Sequence, residues 1–322
     1  MRTTSAVPFG LEATSADIHD LLVAAHERFA TVESGEVADY IPALASANAG
    51  LFGLAFVGPT GEIHAAGDAE RAFSIQSISK AFVFALVCQA IGYDEARAKI
   101  GLNSTGFPFN SAMAIELGGG SKTNPMVNAG AIATTSLVPG ATADAKWAFV
   151  HEGLSRFAGR ALALNADVYR SEAESNQRNQ GIARLLASHK LIYFEPLAAT
   201  DVYTKQCSVD VTVADLAVMA STLALGGLNP LTRLRVVDAD VCARVLAVLA
   251  TAGLYDHSGE WLCEVGLPAK SGVSGGIIAI APGTGGIATF SPPVDGAGNS
   301  VRGSLAIKFL ADELGLNMFA AP

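Results

Sequence analysis

Ser77 and Lys80, in the stretch FSIQSISKAF from 73 to 82, are the first residues of this chain whose types and spacing suggest covalent chemistry. A serine hydroxyl becomes a nucleophile when a base removes its proton, and a lysine amine is such a base once burial lowers its pKa. Residues three apart share a helix face, so the amine can reach the hydroxyl. The spacing alone is weak, because 23 serines and eight lysines in 322 residues give fewer than one such pair by chance, and one is present.

The surroundings of the pair are more informative than its spacing. The segment SISKAFVFALVCQAIG, 77 to 92, is apolar on nearly every face and therefore predicts a buried helix. An ammonium group in its first turn is costly unless it is paired or functional. The N-terminus of a helix also favours negative charge, which would stabilise an alkoxide.

A second motif, AKSGVSGG from 269 to 276, lies on a predicted strand late in the chain. S-x-x-K at the start of a buried helix, followed by K-[ST]-G on a late strand, is the pattern of serine β-lactamases and penicillin-binding proteins. A backbone N–H of that strand, together with the N–H of the serine, could form an oxyanion hole. The chemistry indicated is acyl transfer through an acyl-serine. Lys270 of this motif is interpreted as a support and not as a catalyst.

The elements that must position these motifs follow from periodicity. Residues 14 to 32 predict an amphipathic helix with Thr14 or Ser15 as N-cap, and 50 to 68 predict a hairpin around Gly-Pro-Thr-Gly. From about 77 to 260 the chain reads as helices and loops, including capped helices over 212 to 227 and 238 to 253. Three adjacent strands are predicted within 264 to 293, and a last helix over 300 to 316.

This order predicts an α+β fold, in which an antiparallel sheet is flanked by N- and C-terminal helices and carries an inserted helical lobe. The whole chain, 1 to 322, is expected to form one catalytic unit. Its α/β lobe covers approximately 1–76 plus 261–322, and its helical lobe covers approximately 77–260.

Further segments give the chain a specific resemblance. These segments, in chain order, are ADYIPALA, FSIQSISKAF, NPMVNAGAI, YRSEAESNQRN, VYTKQCSV, GLYDHSGEW, VGLPAKSGVSGGI and SPPVDGAGNSVRG. In content and order they resemble the serine-dependent glutaminase family, in its compact bacterial form. The resemblance implies a β-lactamase/transpeptidase-like fold. It also implies hydrolysis of L-glutamine to L-glutamate and ammonia through a γ-glutamyl-serine acyl-enzyme.

The resemblance also implies catalytic roles. Ser77 matches the nucleophile and Lys80 its base, and Tyr255 matches the residue that passes a proton to the leaving amine. The backbone N–H groups of Ser77 and Val273 match the oxyanion hole. Whether Tyr203 or Tyr255 is the main proton carrier stays open.

Substrate recognition is implied in the same way. Asn128, Glu172, Asn179 and Tyr203 match the family's substrate-binding positions, and Tyr40 matches a tyrosine that closes over the ligand. Free glutamine carries an ammonium and a carboxylate on one carbon, and a buried site must pair both. Glu172 can pair with the ammonium, while amide and hydroxyl donors can bind the carboxylate.

Composition restricts the partners. Half of the residues are hydrophobic and only 16% are charged, so we expect apolar surface to be buried between subunits of a homo-oligomer, a dimer or tetramer in this family. The formal net charge of −9 and the lack of a Lys/Arg cluster argue against nucleic acid and anionic membranes. The N-terminal residues lack an apolar signal region, and no run is long enough to span a membrane, so a cytoplasmic protein is expected.

Cysteines and histidines give no sign of a metal or cofactor. Cys88, Cys207, Cys242 and Cys263 have no paired spacing, and they are predicted to be buried free thiols. The six histidines are scattered, so no metal site is expected, and no cofactor.

Two other functions fit part of the pattern. A DD-peptidase or β-lactamase would share the fold, but the chain contains no Ser-Asp-Asn and its N-terminal residues do not read as a signal peptide. A catalytically inactive ligand-binding domain would also share it, although such a domain could lose Lys80 or Tyr255, and both are present.

Overall fold

A computed structural model of the chain describes residues 13–39, 41–117 and 123–320. Its α-helices are α1 Ser15–Phe29, α2 Pro42–Ala45, α3 Ser79–Ile91, α4 Tyr93–Ile100, α5 Met113–Leu117, α6 Asn128–Leu137, α7 Ala143–Ala158, α8 Ala166–Ser175, α9 Gln177–Ser188, α10 Pro196–Cys207, α11 Val213–Ala224, α12 Ala239–Ala252, α13 Ser258–Glu264 and α14 Val301–Glu313. Short 3-10 turns occupy Gln76–Ile78 and Tyr255–His257.

The strands are β1 Glu36–Val37, β2 Gly53–Val57, β3 Ile63–Gly67, β4 Phe73–Ser74, β5 Ala163–Leu164, β6 Val209–Val211, β7 Ala269–Gly272, β8 Gly276–Ala281, β9 Gly285–Phe290 and β10 Pro293–Val294. The main sheet has the order β3-β2-β9-β8-β7, and every neighbouring pair in it is antiparallel. The predicted hairpin (β2 and β3) and the predicted adjacent strands (β7 to β9) are both confirmed.

Helices cover both faces of this sheet. The terminal helices α1 and α14 pack on each other and on one face, whereas α11 packs across β9, β2 and β8 on the other. This second contact is close, because a Cβ atom added at Gly286 of β9 would clash with the backbone of α11 at Ser221 and Ala217. The predicted arrangement, an antiparallel sheet flanked by the N- and C-terminal helices, is therefore confirmed.

The segment between the hairpin and the late strands is mainly helical, but it also contains strands that the sequence reading missed. A second small sheet has the order β4-β6-β5 and brings Phe73–Ser74 beside Val209–Val211. Strands of two or three residues are too short to show the alternation on which a prediction depends. This sheet matters for the site because β4 leads directly into the turn that carries Ser77.

Local capping accounts for several correct boundaries. Thr14 and Asp17 form a capping box at α1, and Thr212 and Asp215 form another at α11. The helix predicted from residue 77 begins instead with the turn Gln76–Ile78, and α3 proper starts at Ser79. In the described part of the chain, no helix is both long and apolar enough to cross a membrane. Three cysteines are buried as predicted, but Cys263 is exposed, so that prediction was wrong for Cys263.

Candidate active site

Ser77 sits in a strained turn at the start of a buried helix. The residue before it, Gln76, has φ +48°, a left-handed conformation that costs a non-glycine residue about 1–3 kcal/mol. Ser79 Oγ donates to the Gln76 carbonyl at 2.7 Å and holds the turn closed. The Ser77 side chain is 7% exposed and lines a cleft, as an attacking hydroxyl must.

Lys80, one turn further on, is almost fully buried. Its Nζ atom donates to Oδ1 of Asn128 at 2.7 Å and to the Met126 carbonyl at 3.4 Å. Burial lowers the pKa of Lys80 to about 8, although the negative charge of Glu172 acts in the opposite direction. The lowered pKa therefore increases the share of this amine that is neutral near physiological pH, although the protonated form still predominates there. Lys80 Nζ and the Ser77 hydroxyl, both in the described part of the chain, are not hydrogen-bonded to each other, although the sequence predicted that the amine could reach the hydroxyl.

Tyr255 lies near Ser77. Burial raises the pKa of Tyr255 to about 12, while the Ser77 side chain acts to lower it. Its hydroxyl also lies 3.4 Å from the Ser271 carbonyl. The backbone of Tyr255 has φ +57°, so both turns that meet at the nucleophile contain a non-glycine residue in the left-handed region. A protonated phenol beside Ser77 can relay a proton without carrying charge.

Lys270 packs against the ring of Tyr255. Its Nζ atom lies 4.1 Å from the centroid of the Tyr255 ring and donates to the carbonyls of Gly253 and Ser271 at 2.9 and 2.8 Å. The side chain is fully buried, and burial followed by the positive charge of Lys80 holds the pKa of Lys270 well below its usual value. These contacts agree with the interpretation of Lys270 as a support.

Val273 occupies the turn between β7 and β8 and is 5% exposed. Strand β7 packs against the turn of Ser77 so closely that a Cβ atom at Gly272 would lie 3.0 Å from the Ile75 carbonyl and 3.3 Å from Gln76 Cβ. Among the described residues, no hydrogen bond uses the Val273 N–H. That N–H therefore has no partner among the described residues and follows directly on the strand that packs against the turn of Ser77.

Five of the predicted site residues line the same cleft, whereas Tyr255 and Val273 are not among its lining residues. Ser77, Asn128, Glu172, Asn179 and Tyr203 all line it, and its empty volume is about 630 Å³. Nδ2 of Asn128 donates to Asn179 Oδ1 at 3.0 Å, and the Tyr203 hydroxyl donates to Asn128 Oδ1 at 3.3 Å. Asn128 is therefore hydrogen-bonded both to the amine of Lys80 and to Asn179 and Tyr203, the other residues expected to bind the substrate carboxylate.

Glu172 is the buried carboxylate of the cleft. It is 7% exposed, and the amide Nε2 of Gln76 donates to its Oε2 at 3.4 Å. Burial raises the pKa of Glu172 to about 7, while the Gln76 hydrogen bond and the positive charge of Lys80 act to lower it. A carboxylate held in this way gains most from a cationic partner that enters the cleft.

The structure adds residues that the sequence reading did not assign. Gln76 contacts Glu172, Phe109 lies with its ring centroid 6.0 Å from Lys80 Nζ, and Cys207 lines the cleft. Gln76 precedes Ser77 and Cys207 lies within VYTKQCSV, but no spacing rule distinguishes these two residues or Phe109 from packing residues. Tyr40 lies outside the described residues. No group of three or more His, Cys, Asp or Glu side chains in the described ranges could hold a metal ion.

The comparisons with known proteins agree with this geometry. The glutaminase family model matches residues 35–319. The protein "Glutaminase 2" of Yersinia pestis is 56% identical over 94% of this chain and 88% of its own length. This chain belongs to the glutaminase family. It is an amidohydrolase that acts on glutamine, and neither the β-lactamase function nor the inactive domain is favoured.

Solved structures extend the match to the fold. The structure "Probable glutaminase ybaS" has a TM-score of 0.94 at 42% identity, covering 96% of this chain and 100% of the other. A probable glutaminase from Bacillus subtilis, complexed with 6-diazo-5-oxo-L-norleucine, has a TM-score of 0.86 at 31% identity, covering 96% and 99%. The predicted β-lactamase/transpeptidase-like α+β fold is confirmed.

Proposed function

We propose that this glutaminase hydrolyses L-glutamine through an ester between Ser77 and the γ-carbonyl. Ser77 Oγ attacks the side-chain amide, and the N–H groups of Ser77 and Val273 stabilise the oxyanion. Collapse expels ammonia and leaves the γ-glutamyl ester, which water then hydrolyses to L-glutamate. The observation that carries this proposal is that Ser77 lines one cleft together with the polar residues Asn128, Glu172, Asn179 and Tyr203.

Protons are divided between two groups in this mechanism. Neutral Lys80 takes the proton of Ser77. The hydrogen bond from Lys80 Nζ to Asn128 Oδ1, 2.7 Å long, positions the amine. Tyr255, which lies near Ser77, passes its proton to the departing nitrogen, and the ammonium of Lys80 then returns the proton taken from Ser77 to the Tyr255 phenolate. The Tyr203 hydroxyl donates to Asn128, whereas Tyr255 lies near Ser77, so we assign the proton transfer to Tyr255.

Recognition of the amino-acid end follows from charge. Glu172 pairs with the α-ammonium, and Asn128, Asn179 and Tyr203 donate to the α-carboxylate. The B. subtilis relative complexed with 6-diazo-5-oxo-L-norleucine, a glutamine analogue, supports a site built for this backbone. Tyr40 is assigned to closure over the ligand by family resemblance alone.

We further propose that residues 1–322 act as one catalytic unit that assembles into a homo-oligomer, a dimer or tetramer, in the cytoplasm. One hydrophobic cluster contains residues of the sheet, such as Ile278 and Phe290, and of helices α3, α7 and α12, which supports a single unit. The 16% content of charged residues supports subunit contacts. The buried free cysteines suit a reducing compartment.

Replacing the nucleophile tests the mechanism. Ser77→Ala removes the attacking oxygen, so ammonia release from L-glutamine should fall to background. Binding of L-glutamate, measured by calorimetry, should stay within a few-fold, because the recognition residues are untouched. Ammonia release at a near wild-type rate by the variant would show that the nucleophile has been misassigned.

A further inference from the structure

A buried amide lies behind the strained turn of Ser77, and no step of the proposed mechanism uses it. Gln206, in the last turn of α10, is fully buried. The same helix carries Tyr203 and Cys207, which line the cleft. Gln206 is not among the lining residues of the cleft, so it can act on the reaction only through its neighbours.

Hydrogen bonds place this amide between two helices and the turn. Gln206 Nε2 donates to Ser79 Oγ at 3.3 Å, and Ser79 Oγ donates to the Gln76 carbonyl at 2.7 Å. At the other end, the hydroxyl of Thr135 on α6 shares its proton between Gln206 Oε1 and the Ala131 carbonyl, each 2.9 Å away. The chain of bonds thus runs from α6 through α10 to the backbone of the turn.

The direction of these bonds gives Gln206 a definite role. The Ser79 hydroxyl has one proton, and the Gln76 carbonyl needs it. The reverse orientation of the Gln206 amide would place a second acceptor, Oε1, against a hydroxyl that can serve only one. Because Gln206 presents its NH₂ group instead, the Ser79 proton stays on the Gln76 carbonyl. Hydrogen bonds in a buried chain also polarise one another, so the donation from Gln206 strengthens the bond from Ser79.

The turn that receives this bond depends on it. Gln76 has φ +48°, and a non-glycine residue persists in that region only when its surroundings hold it there. Ser77 follows directly, so its hydroxyl moves with any change of the turn. A displacement of about 1 Å at a reacting atom can lower a rate on the order of 100-fold. Ligand affinity is less sensitive, because the recognition residues Glu172 and Asn179 lie on α8 and α9.

We propose that Gln206 is a positioning residue of glutamine hydrolysis, which holds Ser77 in its attacking geometry through the Ser79 hydroxyl. The proposal rests on the assignment of Ser77 as the nucleophile. It predicts a loss in the chemical step with little loss of ligand affinity. A residue that only stabilises the fold would behave differently, because its replacement lowers the fraction of protein that can bind ligand at all.

Gln206→Met tests the proposal at nearly constant volume. Ser79 and Thr135 keep their bonds to backbone carbonyls in this variant, so neither hydroxyl is left without a partner. We expect kcat for L-glutamine to fall about 3- to 10-fold, as for one buried neutral hydrogen bond. Calorimetry with L-glutamate should give a dissociation constant within a few-fold and the wild-type number of sites per chain. An unchanged kcat, or a loss matched by fewer binding sites, overturns the proposal.

A pair of hydroxyl variants tests the next bond of the chain. Ser79→Ala removes the bond to the turn itself and should lower kcat more, at least about tenfold. The matched control is Thr222→Val on α11, whose equally buried hydroxyl donates to the carbonyls of Phe157 and Val218. Its kcat should not change. Equal losses in the two variants would show that the effect is not specific to the turn and would overturn the proposal.

The double variant shows whether Gln206 and Ser79 act through one bond. If they do, adding Gln206→Met to Ser79→Ala should lower kcat further by no more than a factor of about two. Losses that multiply would mean that Gln206 acts by another route, which overturns the proposal. The nucleophile assignment fails differently. If Ser77→Ala keeps its activity, the acyl-enzyme mechanism is wrong, whereas an inactive Ser77→Ala beside a fully active Gln206→Met makes only the role of Gln206 wrong.

Discussion

The Nζ atom of Lys80 lies 2.7 Å from Oδ1 of Asn128, and this contact links the proposed catalytic base to the proposed substrate-binding residues. The same Asn128 oxygen accepts from Tyr203, and its Nδ2 donates to Asn179. A ligand that binds these amides therefore acts on the hydrogen bonding of the base. The hydrogen bonds of Lys80 Nζ go to Asn128 and Met126, and none of them goes to Ser77.

The first prediction concerns that contact. Asn128→Asp places a carboxylate beside the ammonium, which should raise the pKa of Lys80 by about 1–3 units. The pH at which kcat/KM for L-glutamine reaches half its maximum should therefore move upward, and part of the loss at pH 7.5 should be recovered at pH 9.5. A loss of the same size at every pH would mean that Asn128 acts only in binding.

The second prediction is the pH profile of the wild type. Lys80 must be neutral to act as a base, and Glu172 must be ionised to bind an ammonium. Since the pKa of Lys80 is lowered to about 8 and that of Glu172 is raised to about 7, kcat/KM should rise with pH through both values. Lys80→Arg, which cannot lose its proton, should be as inactive as Lys80→Ala. An arginine variant with most of its activity would make Lys80 an electrostatic support.

The third prediction separates recognition from reactivity at Glu172. Glu172→Gln leaves the substrate ammonium without a charged partner, which typically costs about 2–5 kcal/mol, or on the order of 30- to 4,000-fold in kcat/KM. Labelling of Ser77 by a small serine-directed electrophile that lacks an amino group should stay within a few-fold. Equal loss in both measurements would mean that Glu172 holds the serine in place.

The fourth prediction concerns the stability of the same variant. The folded-state pKa of Glu172, about 7, lies above the ordinary glutamate value of 4.5, so the folded protein binds this proton more tightly than the unfolded chain does. Stability from this group is complete below pH 4.5 and is lost as pH rises to about 7, by up to about 3 kcal/mol. Glu172→Gln cannot titrate, so its Tm should exceed that of wild type more at pH 8 than at pH 5. A constant Tm difference across this range would contradict the assignment.

Much of the fold was predictable because its signals are local. The Gly-Pro-Thr-Gly turn between β2 and β3 and the capping pair Thr212 and Asp215 lie within a few residues of the elements that they specify. The pairing of β4 with β6 was not predicted, because it joins segments that are distant in sequence and no local pattern indicates it. The exposure of Cys263 likewise depends on which face of the short helix α13 meets the core.

The sequence by itself determined which residue types carry the chemistry: the Ser77 and Lys80 spacing, the late K-S-G motif and the ordered segments that resemble glutaminases. Only the tertiary structure decided how these groups are used. In the structure, Lys80 donates a hydrogen bond to Asn128 and Gln76 donates one to Glu172. Tyr255 lies near Ser77. The physical reason is that a buried polar group must be paired. The partner that satisfies it is chosen by the packing of distant segments, which sequence spacing does not record.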